Sequence, residues 1–138
     1  MLGGVEIPFD RGLTGHSDAD ALAHAVTDAL LGAAGLEDIG HYFPDFDERY
    51  RDADSIELLR KARELVGGTW EVANVDAVVI CERPKIQDHR DTMRANLAGA
   101  LGVEPSRVTV RGTTTERLGF AGRGEGIAAQ AVCLLQER

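Results

Sequence analysis

The sequence predicts one α+β domain, in which a single mixed β-sheet carries about three helices on one of its faces. Apolar residues recur at helical spacing in three stretches, and β-branched residues concentrate in other segments that end near Gly or Pro. The chain has 138 residues, of which 43% are apolar and 28% charged, a balance that suits a globular domain with its own core. We find no internal repeat and no linker, so residues 1–138 are predicted to form one domain.

The first segment, residues 2–9, predicts a short strand in which Gly3 and Gly4 permit a bend and Pro8 marks an end or an edge. The strongest helix signal follows it. Ser17 and Asp20 resemble a capping box, with Asp in place of the usual Glu. The helix's apolar positions are Ala21, Leu22, Ala25, Val26, Ala29, Leu30 and Ala33, and Gly35 is its natural end.

Residues 36–53 predict a long acidic and aromatic loop, and long loops in small domains are usually functional. A second helix is predicted to begin at Asp54 or Ser55 and to end at Gly67 and Gly68. The β-branched residues of the segment 69–82 predict one or two strands, which Pro84 closes.

A third helix is predicted over about residues 88–101, with Met93, Leu97 and Leu101 on one side and Gly102 after it. Pro105 begins a turn, and residues 108–111 predict a strand. The segment 118–126 is too rich in glycine to predict regular structure, whereas residues 127–135 predict a final apolar strand.

The charge balance limits the classes of partner. The formal net charge is −8 and the sequence pI is about 4.9, which argues against nucleic acid and anionic membranes, since both require a basic face. An anionic small molecule is still compatible, provided that a few Lys or Arg residues or a bound metal gather positive charge locally.

The two cysteines, Cys81 and Cys133, lie in apolar runs and are predicted to be free buried thiols, which implies a reducing compartment. The first residues have neither a charged region nor an apolar core like those of a signal peptide. No apolar stretch approaches membrane-spanning length. These features predict a cytoplasmic protein.

A polar stripe runs along the first helix, where Asp20, His24 and Asp28 follow one another at spacing i, i+4, i+8. One interpretation is a solvated face. The other is that His24 is a metal ligand, whose ring tautomer a neighbouring carboxylate fixes. One helix cannot complete a zinc site with this stripe, so further ligands must come from elsewhere.

Two other segments suit phosphate chemistry. His16 and Ser17 stand before the first helix, where backbone N–H groups and the helix dipole favour an anion, although Ser17 is equally explained as a simple cap. Thr113, Thr114, Thr115 and Glu116 follow a strand and offer hydroxyls for phosphate and a carboxylate for a hard cation, although threonines also simply favour strands.

A third segment places Arg123 among glycines, which fits either anion binding or a tight turn. Together these segments favour metal-assisted phosphoryl chemistry. Acyl transfer is disfavoured, because the sequence has no G-x-S-x-G motif and neither cysteine has a polar, activating setting.

Read in order, these segments resemble the 2-C-methyl-D-erythritol 2,4-cyclodiphosphate synthase family, and the resemblance covers nearly the whole chain. The matching stretches are Gly-His-Ser-Asp-Ala-Asp at 15–20, His-Ala-Val-Thr-Asp-Ala-Leu-Leu-Gly-Ala at 24–33, Asp-Ile-Gly at 38–40, Phe-Pro-Asp-Phe-Asp at 43–47, Asn-Val-Asp at 74–76, Arg-Pro-Lys at 83–85, Thr-Thr-Thr-Glu at 113–116 and Leu-Gly-Phe-Ala-Gly-Arg-Gly-Glu-Gly at 118–126.

The resemblance implies a homotrimer with active sites at subunit boundaries, which converts 4-diphosphocytidyl-2-C-methyl-D-erythritol 2-phosphate to the 2,4-cyclodiphosphate and CMP. It implies zinc or another divalent transition metal at His24 and magnesium or manganese at Glu116. His16 and Thr114 would steady the transition state.

The substrate contacts implied by the same resemblance fall in five places: Ser17; Asp38, Ile39 and Gly40; Phe43, Pro44, Asp45, Phe46 and Asp47; Cys81, Pro84, Lys85 and Ile86; Thr113 and Thr115. The cytidine end would lie against the segment 81–87 and the threonines. Phe120 and Arg123 match residues near the trimer axis, beside a cavity that takes isoprenoid diphosphates.

The sequence departs from the family pattern in one respect. Members of the family open with a strand whose Asp-x-His pair supplies two of the three protein ligands to zinc, and residues 1–138 contain no Asp-x-His. There are two interpretations. Either the natural protein has the family's first strand and this sequence omits it, or the chain is complete and its metal site is impaired. The second case predicts a non-catalytic trimeric module that binds cytidine nucleotides or isoprenoid diphosphates. A third interpretation is an acidic domain in which the His24 stripe is only structural.

Overall fold

The helices and strands follow one another in a mixed order along the chain. The computed structural model describes residues 1–7, 20–44, 48–50, 54–82, 86–122 and 126–138. Its elements are α1 (Ala21–Ala33), α2 (Ile39–Tyr42), α3 (Ser55–Val66), β1 (Trp70–Ile80), α4 (Arg90–Leu101), β2 (Val108–Thr113), α5 (Gly119–Gly122) and β3 (Ala128–Glu137), with 3-10 turns at Glu48–Tyr50, Gln87–His89 and Pro105–Arg107.

The described sheet is mixed, as predicted, with strand order β2-β1-β3. β1 pairs with β2 in parallel, up to Ile80 opposite Thr113, and with β3 antiparallel, where Ile80 lies opposite Ala128. The segment 69–82 therefore holds one strand, with a bulge between Val72 and Asn74. Because β1 and β2 are parallel, their carboxyl ends meet at the same edge of the sheet, together with the start of β3.

The three long helices cover one face of this sheet, as the sequence predicts. α1 packs against β3 and β1, α4 packs against β2, and α3 packs between α1 and α4. Met93, Leu97 and Leu101 of α4 are buried, in agreement with their predicted common side. They belong to one core cluster with residues of α1, α3, β1 and β2. Within the described ranges, no helix is both long and apolar enough to cross a membrane.

The other face of the sheet is exposed and partly apolar. Side chains alternate along β3, so that Cys133 packs towards the helical layer while Val132 and Leu134 are 72% and 60% exposed. Neither Cys81 nor Cys133, both within the described residues, forms a disulfide; the predicted burial is confirmed for Cys81, whereas Cys133 is half-buried. Burial raises the pKa of the Cys133 thiol to about 11 by desolvation, so this thiol stays neutral at neutral pH.

The beginning of the chain differs from the prediction of a strand over residues 2–9. Among the described residues 1–7, the chain makes a tight turn closed by a bridge between Leu2 and Val5, with Gly3 and Gly4 at φ 56° and 75°. The bend at the glycines is confirmed, but no extended strand forms there. Leu2 is buried in the core, so the turn is anchored to the helical layer.

The start of α1 also differs from the prediction. Asp20 is the N-cap, and its Oδ1 accepts the backbone N–H of Ala23 at 2.9 Å. The predicted cap, Ser17, lies outside the described residues. Asp20 is fully buried, so the interpretation of the stripe as a solvated face is wrong for this residue.

Two predictions of irregular structure are wrong as well. The segment 36–53 contains α2 and a 3-10 turn, and the glycine-rich segment 118–126 contains α5. Both helices are short: each has four residues. The predicted ends of α1 and α4 are confirmed, since α1 is followed by Gly35 at φ 75° and α4 by Gly102 at φ 70°. Glycine adopts this left-handed conformation without a Cβ penalty.

Candidate functional site

A small pocket lies where the carboxyl ends of β1 and β2 meet. Its volume is about 150 Å³, and its described lining residues are Cys81, Ile86, Gln87, Arg90, Gly112, Thr113 and Thr114. Ligand pockets for whole drug-sized molecules usually exceed about 300 Å³, so this pocket suits one part of a ligand, such as a single ring. Four of the predicted substrate or catalytic residues, Cys81, Ile86, Thr113 and Thr114, are brought together here.

The pocket walls follow from the strand register. The backbone N–H of Cys81 donates to the carbonyl of Thr113 at 3.0 Å, which holds the chain together just beyond β1. Ile86 is buried and closes over Gly112, where an added Cβ would lie only 3.1 Å from Ile86 Cγ1. Glycine at position 112 therefore lets the Ile86 side chain reach the sheet and form one apolar wall of the pocket.

Arg90, the first residue of α4, also lines this pocket. Its Nε is buried and has no hydrogen-bond partner among the described residues. Arg90 was not predicted as a site residue, because an Arg near the start of an ordinary helix looks like any solvent-facing residue. Only the packing of α4 against β2 brings it to the strand ends.

The threonine segment continues into a tight turn held by Glu82. The Glu82 Oε1 accepts the backbone N–H groups of Thr115 at 3.2 Å and Arg117 at 2.9 Å. The Thr114 Oγ1 accepts the N–H of Glu116 at 3.3 Å. Glu116 and Arg117 have φ values of 56° and 66°, which are unusual for residues other than glycine and are typical of functional sites. The turn leaves the Glu116 carboxylate exposed beside the threonines.

Glu82 was also missed, since a single Glu in a loop carries no recognisable sequence signal. Its role depends on β1 and β2 being neighbours, because it reaches from the end of one strand to the turn after the other. Glu82 is a positioning residue for the Thr115 to Arg117 turn.

His24 lies in a second group of predicted residues, on the helical side of the molecule. Its Nε2 is 3.0 Å from the Oγ of Ser55, the first residue of α3, and Ser55 is buried. This contact holds the imidazole ring in place, whichever nitrogen carries the proton. Ser55 was not predicted as a site residue, because its distance from His24 along the chain hides the contact.

α2 stands next to α1, and its N-cap and first two residues are three more predicted substrate contacts. Asp38 caps α2 by accepting the His41 N–H at 3.0 Å, and Asp28 Oδ1 accepts the N–H of Ile39 at 2.8 Å. Asp28 is thus engaged with α2, and the second carboxylate of the predicted stripe organises the segment that holds Asp38, Ile39 and Gly40.

The remaining predicted residues divide into two sets. Phe43 is only 8% exposed and packs in the core, Pro44 is half-buried, and Phe120 in α5 is 51% exposed. His16, Ser17, Asp45, Phe46, Asp47, Pro84, Lys85 and Arg123 lie outside the described residues.

The predicted metal sites fit the structure unequally. Nowhere in the described part of the chain do three His, Cys, Asp or Glu side chains converge to hold a metal. A catalytic zinc takes three protein ligands, so His24 and its described neighbours do not make up a zinc site. Glu116 fits magnesium better, because Mg²⁺ keeps several waters and often binds one or two carboxylates together with substrate phosphates.

A larger cleft, about 540 Å³ in volume, lies at the opposite edge of the sheet, near the start of β1. Two of its arginines, Arg107 and Arg138, donate to the backbone carbonyls of Ala73 and Trp70, each at 3.2 Å. None of the predicted site residues is among its described lining residues, and the arginines satisfy backbone groups, so we assign the candidate site to the smaller pocket.

Comparison of sequences places the chain among named enzymes. A sequence model of the YgbB family matches residues 1–136. A relative from Rubrobacter xylanophilus, named 2-C-methyl-D-erythritol 2,4-cyclodiphosphate synthase, is 81% identical over 136 residues, which are 99% of this chain and 82% of the relative. A relative of the same name from Thiobacillus denitrificans is 58% identical over 99% of this chain and 86% of its own length.

Solved structures with a similar fold lead to the same family. The bifunctional IspDF from Campylobacter jejuni has a TM-score of 0.95 at 44% identity, and the match covers 100% of this chain and 38% of that one. Plasmodium falciparum IspF, solved as a CDP complex, has a TM-score of 0.84 at 34% identity, covering 99% of this chain and 83% of that one. By sequence and by fold, this chain belongs to the YgbB family, among relatives named 2-C-methyl-D-erythritol 2,4-cyclodiphosphate synthase.

Proposed function

We infer that this chain is a phosphorus–oxygen lyase of isoprenoid biosynthesis, which cyclises 4-diphosphocytidyl-2-C-methyl-D-erythritol 2-phosphate to 2-C-methyl-D-erythritol 2,4-cyclodiphosphate and CMP. The observation that carries this function is the 81% identity to a synthase of that name over 99% of the chain. The chemistry of the pocket and of the turn at Glu116 agrees with it.

The reaction needs no nucleophile from the protein. An oxygen of the substrate's own 2-phosphate attacks the β-phosphorus, a new P–O bond closes the ring, and the bond from the β-phosphorus to the bridging oxygen breaks. CMP leaves with that oxygen and its electron pair. The protein therefore has to hold the two phosphates in line and to offset their negative charge.

We propose that the cytidine end of the substrate occupies the pocket at the strand ends. Cys81 and Ile86 offer apolar walls for a flat ring, and Thr113 and Thr114 offer hydroxyls and backbone groups at its rim. The volume of about 150 Å³ suits the base alone, with the ribose and phosphates emerging towards Glu116. Lys85 is the further candidate contact from the segment 83–85.

We propose that the diphosphate lies along the turn from Thr113 to Glu116. Glu116 would hold magnesium or manganese, which would offset the negative charge of the diphosphate when bound. Thr114 would steady the transition state from this side. The Glu82 carboxylate keeps the turn in its strained conformation, so the hydroxyls and Glu116 need no reorganisation when the substrate binds.

The other predicted contacts belong to the methylerythritol and 2-phosphate end. We propose Asp38, Ile39 and Gly40, at the start of α2, as contacts there, together with His16, Ser17 and residues 43–47. His24 is the candidate ligand for zinc or a similar metal, whose other ligands would come from outside the described ranges. Because the described donors do not complete that site, we derive no step of the reaction from it.

We also propose a homotrimer with its active sites at the subunit boundaries. Neither His24 nor any residue of α2 is among the described residues that line the pocket. A boundary site would bring the pocket of one subunit against the His24 and α2 group of the next. The exposed Val132 and Leu134 on the open face of the sheet support an assembly that covers this face. Phe120 and Arg123 are proposed to face the trimer axis and an isoprenoid diphosphate there.

The direct test is CMP release from the cytidine-diphosphate substrate with zinc and magnesium supplied. We expect turnover that EDTA abolishes and that Glu116→Gln lowers by about a hundredfold or more, as for loss of an electrostatic group that acts on the reacting phosphates. Asp88→Asn, a change at an exposed residue of the 3-10 turn Gln87–His89, is the matched control and should leave the rate unchanged.

The result also decides between the enzyme and the non-catalytic module. Absence of turnover, together with CDP binding and no rescue when an N-terminal strand that carries an Asp-x-His pair is added, would favour the module. Turnover by residues 1–138 alone would mean that groups other than an Asp-x-His pair complete the metal site.

A further inference from the structure

Glu82 stands between the two halves of the candidate site, which are the pocket at the strand ends and the turn that carries Glu116. It directly follows Cys81, a lining residue of the pocket. Its Oε1 accepts two backbone N–H groups of the turn, from Thr115 at 3.2 Å and from Arg117 at 2.9 Å. One side chain thus connects the end of β1 to the segment that follows β2.

The turn owes its shape to contacts within itself. The N–H of Leu118 donates to the carbonyl of Thr115 at 3.1 Å, and the Thr115 hydroxyl donates to the carbonyl of Leu118. Between them, Glu116 and Arg117 both have positive φ, as in a type I′ turn, where Gly, Asn and Asp are the usual residues. Because these contacts join residues of the turn to one another, they do not set the direction in which the turn faces.

The placement of the turn depends on its neighbours. Gly122 of α5 lies so close to it that an added Cβ would overlap the backbone of Arg117, so the turn and α5 pack as one unit. The end of β2 fixes where this unit begins. Glu82 belongs to the segment after β1, and its two hydrogen bonds fix how the unit faces the pocket. Hydrogen bonds to a carboxylate are stronger than those between neutral groups.

A ligand that spans both halves depends on this placement. In the proposed binding mode the base occupies the pocket and the diphosphate lies along the turn. Two sets of contacts strengthen each other's binding only when they are held at the separation that the ligand spans. The reaction has the same requirement, since a misplacement of about 1 Å can lower a rate by about a hundredfold.

We propose that Glu82 is a positioning residue that joins the two halves of the site. This inference rests on the proposed function, because it takes the pocket as the base site and the turn as the diphosphate and metal site. Glu82 then governs the affinity of ligands that span both halves, and it does not govern a ligand that occupies the pocket alone. Its absence from the described residues that line the pocket agrees with this.

The test compares cytidine with CDP, each with and without magnesium, by calorimetry. Glu82→Ala should weaken CDP binding in magnesium by about tenfold or more, as expected for the loss of hydrogen bonds to a charged group, and should leave cytidine binding unchanged. The gain in CDP affinity on adding magnesium should shrink as well, because Glu116 no longer faces the diphosphate. Glu82→Gln keeps an oxygen that accepts both N–H groups, so it should retain most of the CDP affinity.

The matched control is Glu71→Ala. Glu71 lies near the other end of β1, is also half-buried and also accepts a hydrogen bond, from the Gln136 Nε2 at 2.6 Å, but it does not line the pocket. This change should leave the affinities for cytidine and for CDP unchanged. A general loss of stability would not separate the two ligands, whereas a loss of placement does.

Two outcomes would overturn the proposal: an unchanged CDP affinity in Glu82→Ala, or equal losses for cytidine and CDP, which would mean that Glu82 shapes the pocket itself. If Glu82→Ala fails to fold, Glu82→Asp provides the same comparison, because its carboxylate is too short to keep both hydrogen bonds. If wild-type protein binds neither cytidine nor CDP, the proposed function itself fails, which is distinguishable from both results.

Discussion

At the scale of single residues, Asp20 binds three backbone N–H groups from two parts of the molecule through one carboxylate. Its Oδ1 accepts the N–H groups of Gly3 and Ala23, at 2.8 Å and 2.9 Å, and its Oδ2 accepts that of Gly4 at 2.7 Å. The first residues of the chain are thereby fixed to the start of α1. A buried carboxylate is tolerated here because backbone donors surround it.

We predict that Asp20→Asn lowers the free energy of unfolding by about 2 kcal/mol, because an amide group would face one of these backbone donors. Urea denaturation measures the change. Asp54→Asn is the matched control, since Asp54 caps α3 at an exposed position by accepting the Ile56 N–H, and Asn is an equally good N-cap. Equal effects of the two changes would contradict the bridging role of Asp20.

At the scale of elements, the two glycines near the end of α4 have different roles. Gly102 ends the helix in the left-handed conformation, and the N–H of Val103 bonds back to the carbonyl of Ala98 at 3.1 Å. A Cβ at Gly102 would lie 2.5 Å from the guanidinium of Arg63, a flexible group that can move aside. Gly99 lies inside the helix, and a Cβ there meets nothing within 4 Å.

We therefore predict opposite effects for two identical substitutions. Gly102→Ala should destabilise the protein by about 1 kcal/mol, because an L-residue is strained at this φ. Gly99→Ala should stabilise it by about 0.5–1 kcal/mol, since alanine is the better helix former. Thermal unfolding of both variants tests this, and a shift of the same sign in both would contradict the assignment of Gly102 as the helix stop.

At the scale of the whole molecule, the sheet has one covered face and one open face. The helices bury one side, whereas Val132 and Leu134 on the open side are mostly exposed. Asp76 lies opposite Val132 in the strand register and forms a two-pronged ion pair with Arg111 of β2, with contacts of 3.1 Å and 2.8 Å. An assembly that covers this face would bury Val132 and Leu134 beside the Asp76–Arg111 ion pair. Within this pair each charge already has an opposite charge as its partner.

We predict that Leu134→Glu prevents trimer formation, because a carboxylate without a partner would be buried where the proposed assembly covers this face. Light scattering should give the mass of one subunit, 14.8 kDa, where the unchanged chain gives three times that mass. CMP release should fall with it, since the proposed sites span the boundary. Leu65→Glu, at a residue 50% exposed on α3, is the control and should leave the trimer intact. A monomeric unchanged chain would contradict the proposed assembly.

The sequence predicted the long elements and part of the site because their signals are local. Helical spacing identified α1, α3 and α4, and Gly35 and Gly102 marked the ends of α1 and α4. The threonines before Glu116 and the segment from Cys81 to Ile86 also carry their chemistry in short stretches, which is why resemblance to the family extended to them. The short helices α2 and α5 were missed, since four residues contain too little periodicity to recognise.

The sequence by itself determined the fold class, the family and the residues that match its motifs. Tertiary structure alone decided which residues complete these motifs: Ser55 beside His24, Glu82 under the Thr115 turn, and Arg90 at the pocket. Each of these contacts joins segments that are distant along the chain or depends on how two elements pack. Such contacts are set by strand register and helix packing, and no local pattern of residue types encodes them.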